Sequence, residues 1–424
     1  MKSFIFKLRN NAVLKKILYW SVVFFLFSYV FSIPAFSGRT TWYIISYFLM
    51  AALAVFTAFY TFLYTKFRFN RWLILPCLFV AFSFIGTVFY SHSFFGAQGQ
   101  IGWSTLVLML LTLFVFYYAF VVIGNKKTIQ KALIFAFLIF AFYFAFVYRD
   151  TIIHLKLSSD RITTYFDNQN VIGFYFAIAF GLSLFSGLFF DRKIELLFLV
   201  SAAIFLFLGF FTGSRAFLIS VVVESAVIIY YKLRNHKIIF LIVLLCFIGL
   251  FFILINIPRL AFLKDQFNRT IYTLFGVGNS KVDTSTIQRA VWPGYAFYLG
   301  GKNLIFGYGI NGFKIFSGVG TYSHNNFAEL ICNFGVAGFV LFNLCFVVPF
   351  IKAIKPKEKE LILVSILFFA YFFRSLFGVV YYSKETYLVF ALLFFLTKDC
   401  KLSELKIVHR KKKRISAGND EVCL

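Results

Sequence analysis

The chain has 424 residues, of which 61% are hydrophobic and 14% charged, with 66 phenylalanines and a formal net charge of +26. Soluble domains average about 25% charged residues, so an ordinary globular protein is excluded. The charge alone would admit a nucleic-acid binder, but it lies in short loops and a tail with no folded reader beside it, so no nucleic-acid partner is expected.

Apolar runs near the length that crosses a bilayer, about 20 residues, recur from one end to the other. In chain order we read twelve: about 17–36, 43–65, 72–90, 104–123, 132–149, 170–190, 196–212, 216–231, 238–257, 327–351, 361–380 and 386–397. The seventh, eighth and last are short, and the last is expected to be either longer than drawn or re-entrant. The first follows Lys15-Lys16 without a convincing cleavage site after it, which suits a retained signal anchor. Of the 42 Lys and Arg residues, 28 fall in alternate loops and the termini. The positive-inside rule then places both termini in the cytoplasm. The basic cytoplasmic tail, 398–424, carries His409-Arg-Lys-Lys-Lys-Arg414 and is expected to touch anionic lipid headgroups of the bilayer. The expected fold is all-α: a single membrane domain over 1–424, a polytopic helix bundle of about twelve spans.

Four segments then face outward. Ser91 to Trp103 is uncharged and carries His92. Arg149 to Asn170 ends in Asp160-Arg-Ile-Thr-Thr-Tyr-Phe-Asp-Asn-Gln-Asn170, and Thr212-Gly-Ser-Arg215 is a tight turn between apolar runs. The fourth, a large extracytoplasmic loop over 258–326, is too long for a compact bundle unless it is functional. Its apolar residues at 287, 291, 295 and 298 predict an amphipathic helix, N-capped within Asp283-Thr-Ser-Thr286 and lying along the membrane surface. Cys77, Cys246, Cys332 and Cys345 lie in apolar runs and Cys400 and Cys423 in the tail, a spacing that makes neither a disulfide framework nor a zinc site.

Chemistry concentrates in Thr321-Tyr-Ser-His-Asn-Asn-Phe-Ala-Glu-Leu330. Ser323 is the expected N-cap of the tenth span, which puts His324 at a helix N-terminus. There it acts as a general base, or it merely caps. Arg215 holds a permanent cation at the membrane boundary, for forked contacts with phosphate or for snorkelling to headgroups. Arg289, at the start of the amphipathic helix, has the same two readings, and Arg161 is a weaker candidate. Asn168 and Asn170 bind sugar hydroxyls or cap the sixth span. Glu224 and Arg374 fall inside spans, where charges face a cavity or a partner, including each other. No residues stand at metal-ligand spacing, and no Asp-x-Asp pair suggests Mg²⁺ with a nucleotide sugar, so no metal or cofactor is expected.

In order, Tyr165-Phe-Asp-Asn-Gln-Asn170, Thr212-Gly-Ser-Arg-Ala-Phe-Leu218, Gln288-Arg289, Gly307-Tyr-Gly309, Ser323-His-Asn-Asn-Phe-Ala-Glu-Leu330 and Phe334-Gly-Val-Ala-Gly338 cover about 160–345. This set resembles the bacterial O-antigen ligase and polysaccharide polymerase family of integral membrane glycosyltransferases. The resemblance implies an outer-face cavity of the cytoplasmic membrane that binds an undecaprenyl-diphosphate-linked oligosaccharide, needing no metal or nucleotide. It implies that Arg215 and Arg289 clamp the diphosphate and that His324 is the base. Arg161, Asn170, Asn325, Asn326, Glu329 and Arg374 are secondary candidates. The partners implied are a glycan or lipid-linked acceptor, with chain-length regulator and flippase proteins alongside. Polymerase is the favoured activity on the doubled Asn325-Asn326 and the short loops, with ligase as the alternative. A transporter or lipid flippase is the contrasting class, disfavoured because the polar residues collect at one edge rather than at mid-membrane.

Overall fold

The computed structural model describes residues 6, 8–35, 40–65, 70–96, 101–153, 169–190, 194–257, 261–275, 284–354 and 358–398. Among them there are helices and no strands. Each of the twelve apolar runs coincides with a helix: α1 (Ala12–Ala35), α2 (Thr40–Tyr64), α3 (Arg71–Ser91), α4 (Trp103–Ile123), α5 (Lys126–Val147), α6 (Gln169–Phe189), α7 (Glu195–Phe211), α8 (Arg215–Leu233) and α9 (Lys237–Asn256), then, beyond the loop, α12 (Asn326–Ala353), α13 (Glu358–Leu376) and α14 (Lys384–Leu396). Eight of these, α1–α6, α8 and α12, are long and apolar enough to cross a membrane.

Two kinds of apolar surface build the bundle. On α2, Ile44, Phe48, Val55, Phe59 and Phe62 are exposed, a stripe at helical spacing that suits contact with lipid. On α14, by contrast, every residue from Glu385 to Leu396 is buried. Its 13 residues reach only about 20 Å at 1.5 Å per residue, short of the roughly 30 Å hydrocarbon core. The last run is therefore a short helix enclosed by protein, beginning two residues before the run as read.

The alternation of the spans is visible at the two ends of the bundle. At one end the Lys126 ammonium pairs with Glu360 at 2.9 Å and donates to the Leu396 carbonyl at 3.3 Å, while Lys352 donates to the Thr397 carbonyl at 2.6 Å. The starts of α5 and α13 and the ends of α12 and α14 thus meet. At the other end lie the starts of α8, α12 and α14 with the loop.

The loop departs from expectation. It holds two long helices rather than one, α10 (Ala261–Phe275) and α11 (Thr284–Lys302), plus a five-residue turn of helix at Gly312–Phe316. In α10, Leu263, Phe267, Ile271 and Phe275 recur every four residues, a helical period hidden among its polar neighbours. On α11, Ile287, Val291, Phe297 and Tyr298 are exposed, as an interfacial helix requires. The buried side, Ala296 and Leu299, packs with Phe313, Ala328 and Cys332 against α12.

The tenth span is also not one continuous helix. Gly335 (φ 62°, ψ −172°) breaks α12 in a conformation almost confined to glycine. The break frees two carbonyls: Cys332 accepts from Tyr308 N–H at 2.9 Å and Asn333 from Gly309 N–H at 2.6 Å, and Val336 N–H donates to the Leu304 carbonyl at 2.7 Å. Gly307-Tyr-Gly309 is the segment that fits there. A Cβ on Gly307 would lie 2.4 Å from the Asn333 backbone, and one on Gly335 would lie 2.2 Å from the Ile305 carbonyl oxygen. The glycines thus seat the loop against the broken helix, and the loop in turn holds the start of α12.

Candidate active site

Arg215 opens α8. Gly213 (φ 63°) ends the preceding turn, and Ser214 caps the helix by accepting from Phe217 N–H at 3.3 Å. The Arg215 side chain is 4% exposed. Its Nη1 donates to Thr273 Oγ1 on α10 and its Nη2 to Thr286 Oγ1 on α11 at 2.6 Å. The turn seen in the sequence therefore becomes a joint: one guanidinium holds both loop helices to the bundle. The snorkelling alternative does not describe this buried, doubly bonded side chain.

From Thr286, α11 runs past Arg289 to Trp292. These residues stand at i, i+3 and i+6, on one side of the helix. Trp292 lies flat on the His324 imidazole, with ring centroids 5.4 Å apart and planes 13° from parallel, and the Tyr322 ring meets the imidazole edge-on at 4.5 Å. Arg289, partly buried, sits one turn from each contact. One helix face thus brings together the three principal sequence candidates, Arg215, Arg289 and His324.

Ser323 is not the N-cap of α12. Asn325 caps it, accepting from Phe327 N–H and Ala328 N–H, both at 3.0 Å. Both residue types cap helices well; Ser323 is engaged one step earlier, its N–H bonded to Glu329 Oε2 at 2.7 Å and its hydroxyl to the Asn325 carbonyl at 3.0 Å. His324 accordingly lies two residues before the first helical residue, in the left-handed region (φ 62°). A non-glycine residue there is strained, and the surrounding bonds hold it so that the imidazole projects toward α11.

Several secondary candidates are committed to this support. Asn326 is fully buried, accepts from Val380 N–H (2.9 Å) and Tyr381 N–H (3.1 Å) and donates to Tyr371 Oη (3.3 Å), pinning the α13–α14 turn to α12. Asn325 Nδ2 donates to the Leu376 carbonyl at 3.3 Å. Glu329 Oε1 accepts from Asn333 Nδ2 at 3.3 Å, and Asn333 also donates to Tyr381 Oη at 3.1 Å. Asn170, in the first turn of α6, lies one turn before Gly173, whose Cβ position would be 2.4 Å from Ser214 Cβ. It therefore sits at the level of the Arg215 joint. Arg161 and the tail 399–424 lie outside the described residues, as do His154 and Asp283.

Arg374 is 3% exposed, and its Nε and Nη1 find no hydrogen-bond partner among the described residues. Glu385, 5% exposed, leaves Oε1 in the same state. Neither forms an ion pair among the described residues, and neither does Glu224, so the alternative of an ion pair, with each other or with a neighbour, is not seen there. Burial, then the neighbouring Tyr322, pushes up the phenol of Tyr382 in the α13–α14 turn, with Arg374 acting in the opposite direction. Tyr382 therefore stays a neutral phenol near Arg374 and Tyr322. Among the described residues, no three His, Cys, Asp or Glu side chains gather as metal ligands.

Residues 197–343 match the family model described as O-antigen ligase. The match supports assignment to the O-antigen ligase and polymerase family. It runs from α7 into the second half of α12 and includes Arg215, Arg289 and His324. No curated protein matches the chain. Sequence reasoning missed Thr273, Thr286 and Trp292, the residues that join the three candidates. Their partners lie about 30 to 70 positions away in the chain, and no local spacing signals such contacts.

Proposed function

We propose that the protein is a glycosyltransferase that elongates lipid-linked oligosaccharide repeats at the outer face of a bacterial cytoplasmic membrane, with the glycan donated from undecaprenyl diphosphate. The observation that carries this reading is the convergence on α11: Arg215 bonded through Thr286, Arg289 one turn on, and His324 stacked on Trp292. Two guanidiniums suit a diphosphate leaving group, since the fork of arginine matches phosphate oxygens. The O-antigen ligase family match over 197–343 supports lipid-linked glycan as the substrate class.

In this mechanism an acceptor hydroxyl attacks the anomeric carbon of the donor sugar. The new C–O bond forms as the bond to the diphosphate oxygen breaks, with inversion at the carbon. His324 takes the hydroxyl proton. Arg289 and Arg215 stabilise the charge growing on the departing diphosphate, in a setting already oriented by Thr273 and Thr286. Arg374, whose Nε and Nη1 have no hydrogen-bond partner among the described residues, offers a third cation to an anionic part of the substrate. The positive-inside distribution supports an outward orientation for this end of the bundle.

Transfer to lipid A core or another acceptor is the second reading, favoured by the description of the matched family as a ligase. Incubating the purified, reconstituted protein with lipid-linked repeat alone separates the two. Elongation without a further acceptor supports the polymerase reading; elongation only when another acceptor is added supports the ligase. Lipid translocation with no bond formed overturns both.

A further inference from the structure

Away from the site, α2 and α4 leave a groove of about 540 Å³ between them, lined by Ala54, Thr57, Ala58, Thr61, Thr65 and Tyr118, with Phe62, Phe114 and Val115 along its sides. Small residues on α2 at positions 54, 57, 58 and 61, with Thr65 just past its end, keep one face of that helix low, so the groove follows the span. Its floor is not purely apolar. Thr57 is 3% exposed, and the hydroxyls of Thr57 and Thr61 have no hydrogen-bond partner among the described residues. A buried hydroxyl without a partner costs about 1–3 kcal/mol, so an occupant that brings acceptors to this line of threonines is favoured over bare hydrocarbon.

One end of the groove is basic. The Arg9 guanidinium donates to the carbonyl of Phe62 at 3.4 Å. Lys15 Nζ lies 5.8 Å from the centre of the Tyr64 ring, and Tyr64 Oη donates to the Leu8 carbonyl at 2.8 Å, which fastens the segment before α1 to the end of α2. Arg9, Lys15 and Lys16 are all exposed there. A cationic mouth above an apolar channel with interior hydroxyls has the profile of a phospholipid: phosphate, then ester carbonyls, then hydrocarbon.

We propose that the α2–α4 groove is a binding site for one anionic phospholipid, its acyl chain along Ala54 and Ala58, its ester oxygens toward Thr57 and Thr61, and its phosphate against Arg9 and Lys15. Charge decides against a second copy of the chain as occupant, because that copy would bring the same cations to the same mouth. Two juxtamembrane cations give a preference for anionic over zwitterionic lipid of roughly ten- to thirtyfold.

Native mass spectrometry of the full chain, released from nanodiscs of phosphatidylglycerol and phosphatidylcholine in equal parts, tests this. One retained phosphatidylglycerol per chain is expected. An Arg9→Gln/Lys15→Gln variant should lose the preference while still binding either lipid, and Ala58→Phe, which fills the groove, should lose the adduct altogether. Thr57→Val, nearly the same shape, guards against a folding defect and should weaken retention severalfold with helix content unchanged. Equal retention of the two lipids by the unmodified protein overturns the proposal. So does a phosphatidylglycerol adduct that survives both Ala58→Phe and Arg9→Gln/Lys15→Gln, or a two-chain species that Ala58→Phe abolishes.

Discussion

Replacing Trp292 by alanine removes the ring that lies 13° from parallel with the His324 imidazole, while the edge contact with Tyr322 stays. His324 is not held by a helix of its own: it precedes the Asn325 cap in a left-handed conformation, and the two aromatic walls help to orient its ring. An aromatic stack contributes about 0.5–1.5 kcal/mol beyond area burial. If that whole term serves to hold the imidazole toward the acceptor, its loss lowers turnover by roughly two- to twelvefold. The assay is elongation of lipid-linked repeats by the reconstituted variant at saturating and limiting donor. The expected pattern is a lower kcat with an unchanged KM for donor, because the Arg215 joint is untouched, and Trp292→Phe should restore most of the rate. Wild-type kcat in Trp292→Ala, or a loss confined to KM, would refute the positioning argument.

Three further outcomes follow from the same contacts. Thr286→Val takes one acceptor from a buried guanidinium; at about 1.5–3 kcal/mol for a hydrogen bond to a charged group, it should cost roughly ten- to a hundredfold in kcat/KM for donor, measured in the same elongation assay. Gly335→Ala forces a Cβ to 2.2 Å from the Ile305 carbonyl oxygen and should abolish activity and lower the thermal midpoint of the purified protein, whereas Gly301→Ala, where a Cβ meets nothing within 4 Å, should change neither. Asn326→Leu removes both acceptor bonds to the α13–α14 turn; limited proteolysis should then cut near Val380–Tyr381 in the variant and not in the parent.

The span pattern was legible because a bilayer demands long apolar runs, and each run became a helix. What stayed hidden depends on contacts between distant segments. The apolar run from Phe327 to Ile351 gives no sign of the break at Gly335, since the break is stabilised by backbone groups of 304–309. The N-terminus of α12 was ambiguous too: Ser323 and Asn325 are equally good caps in sequence, and the structure uses Asn325, with Ser323 tied to Glu329 instead. α10 was overlooked because its four-residue apolar spacing is diluted by Lys264, Asp265, Asn268 and Arg269. Of the site, the cationic and histidine residues could be picked out as misfits on an apolar chain. The doubled Asn325-Asn326, which in sequence hints at polymerase activity, is a helix cap and a clamp on the neighbouring turn, which gives those two side chains a structural task.

The most direct test of the central claim is the product of purified His324→Ala protein incubated with lipid-linked repeats, with the length distribution read by mass spectrometry and donor binding measured in parallel. The expected result is intact donor binding through Arg215 and Arg289 with no lengthening of the glycan. Elongation by His324→Ala at the wild-type rate would contradict the account.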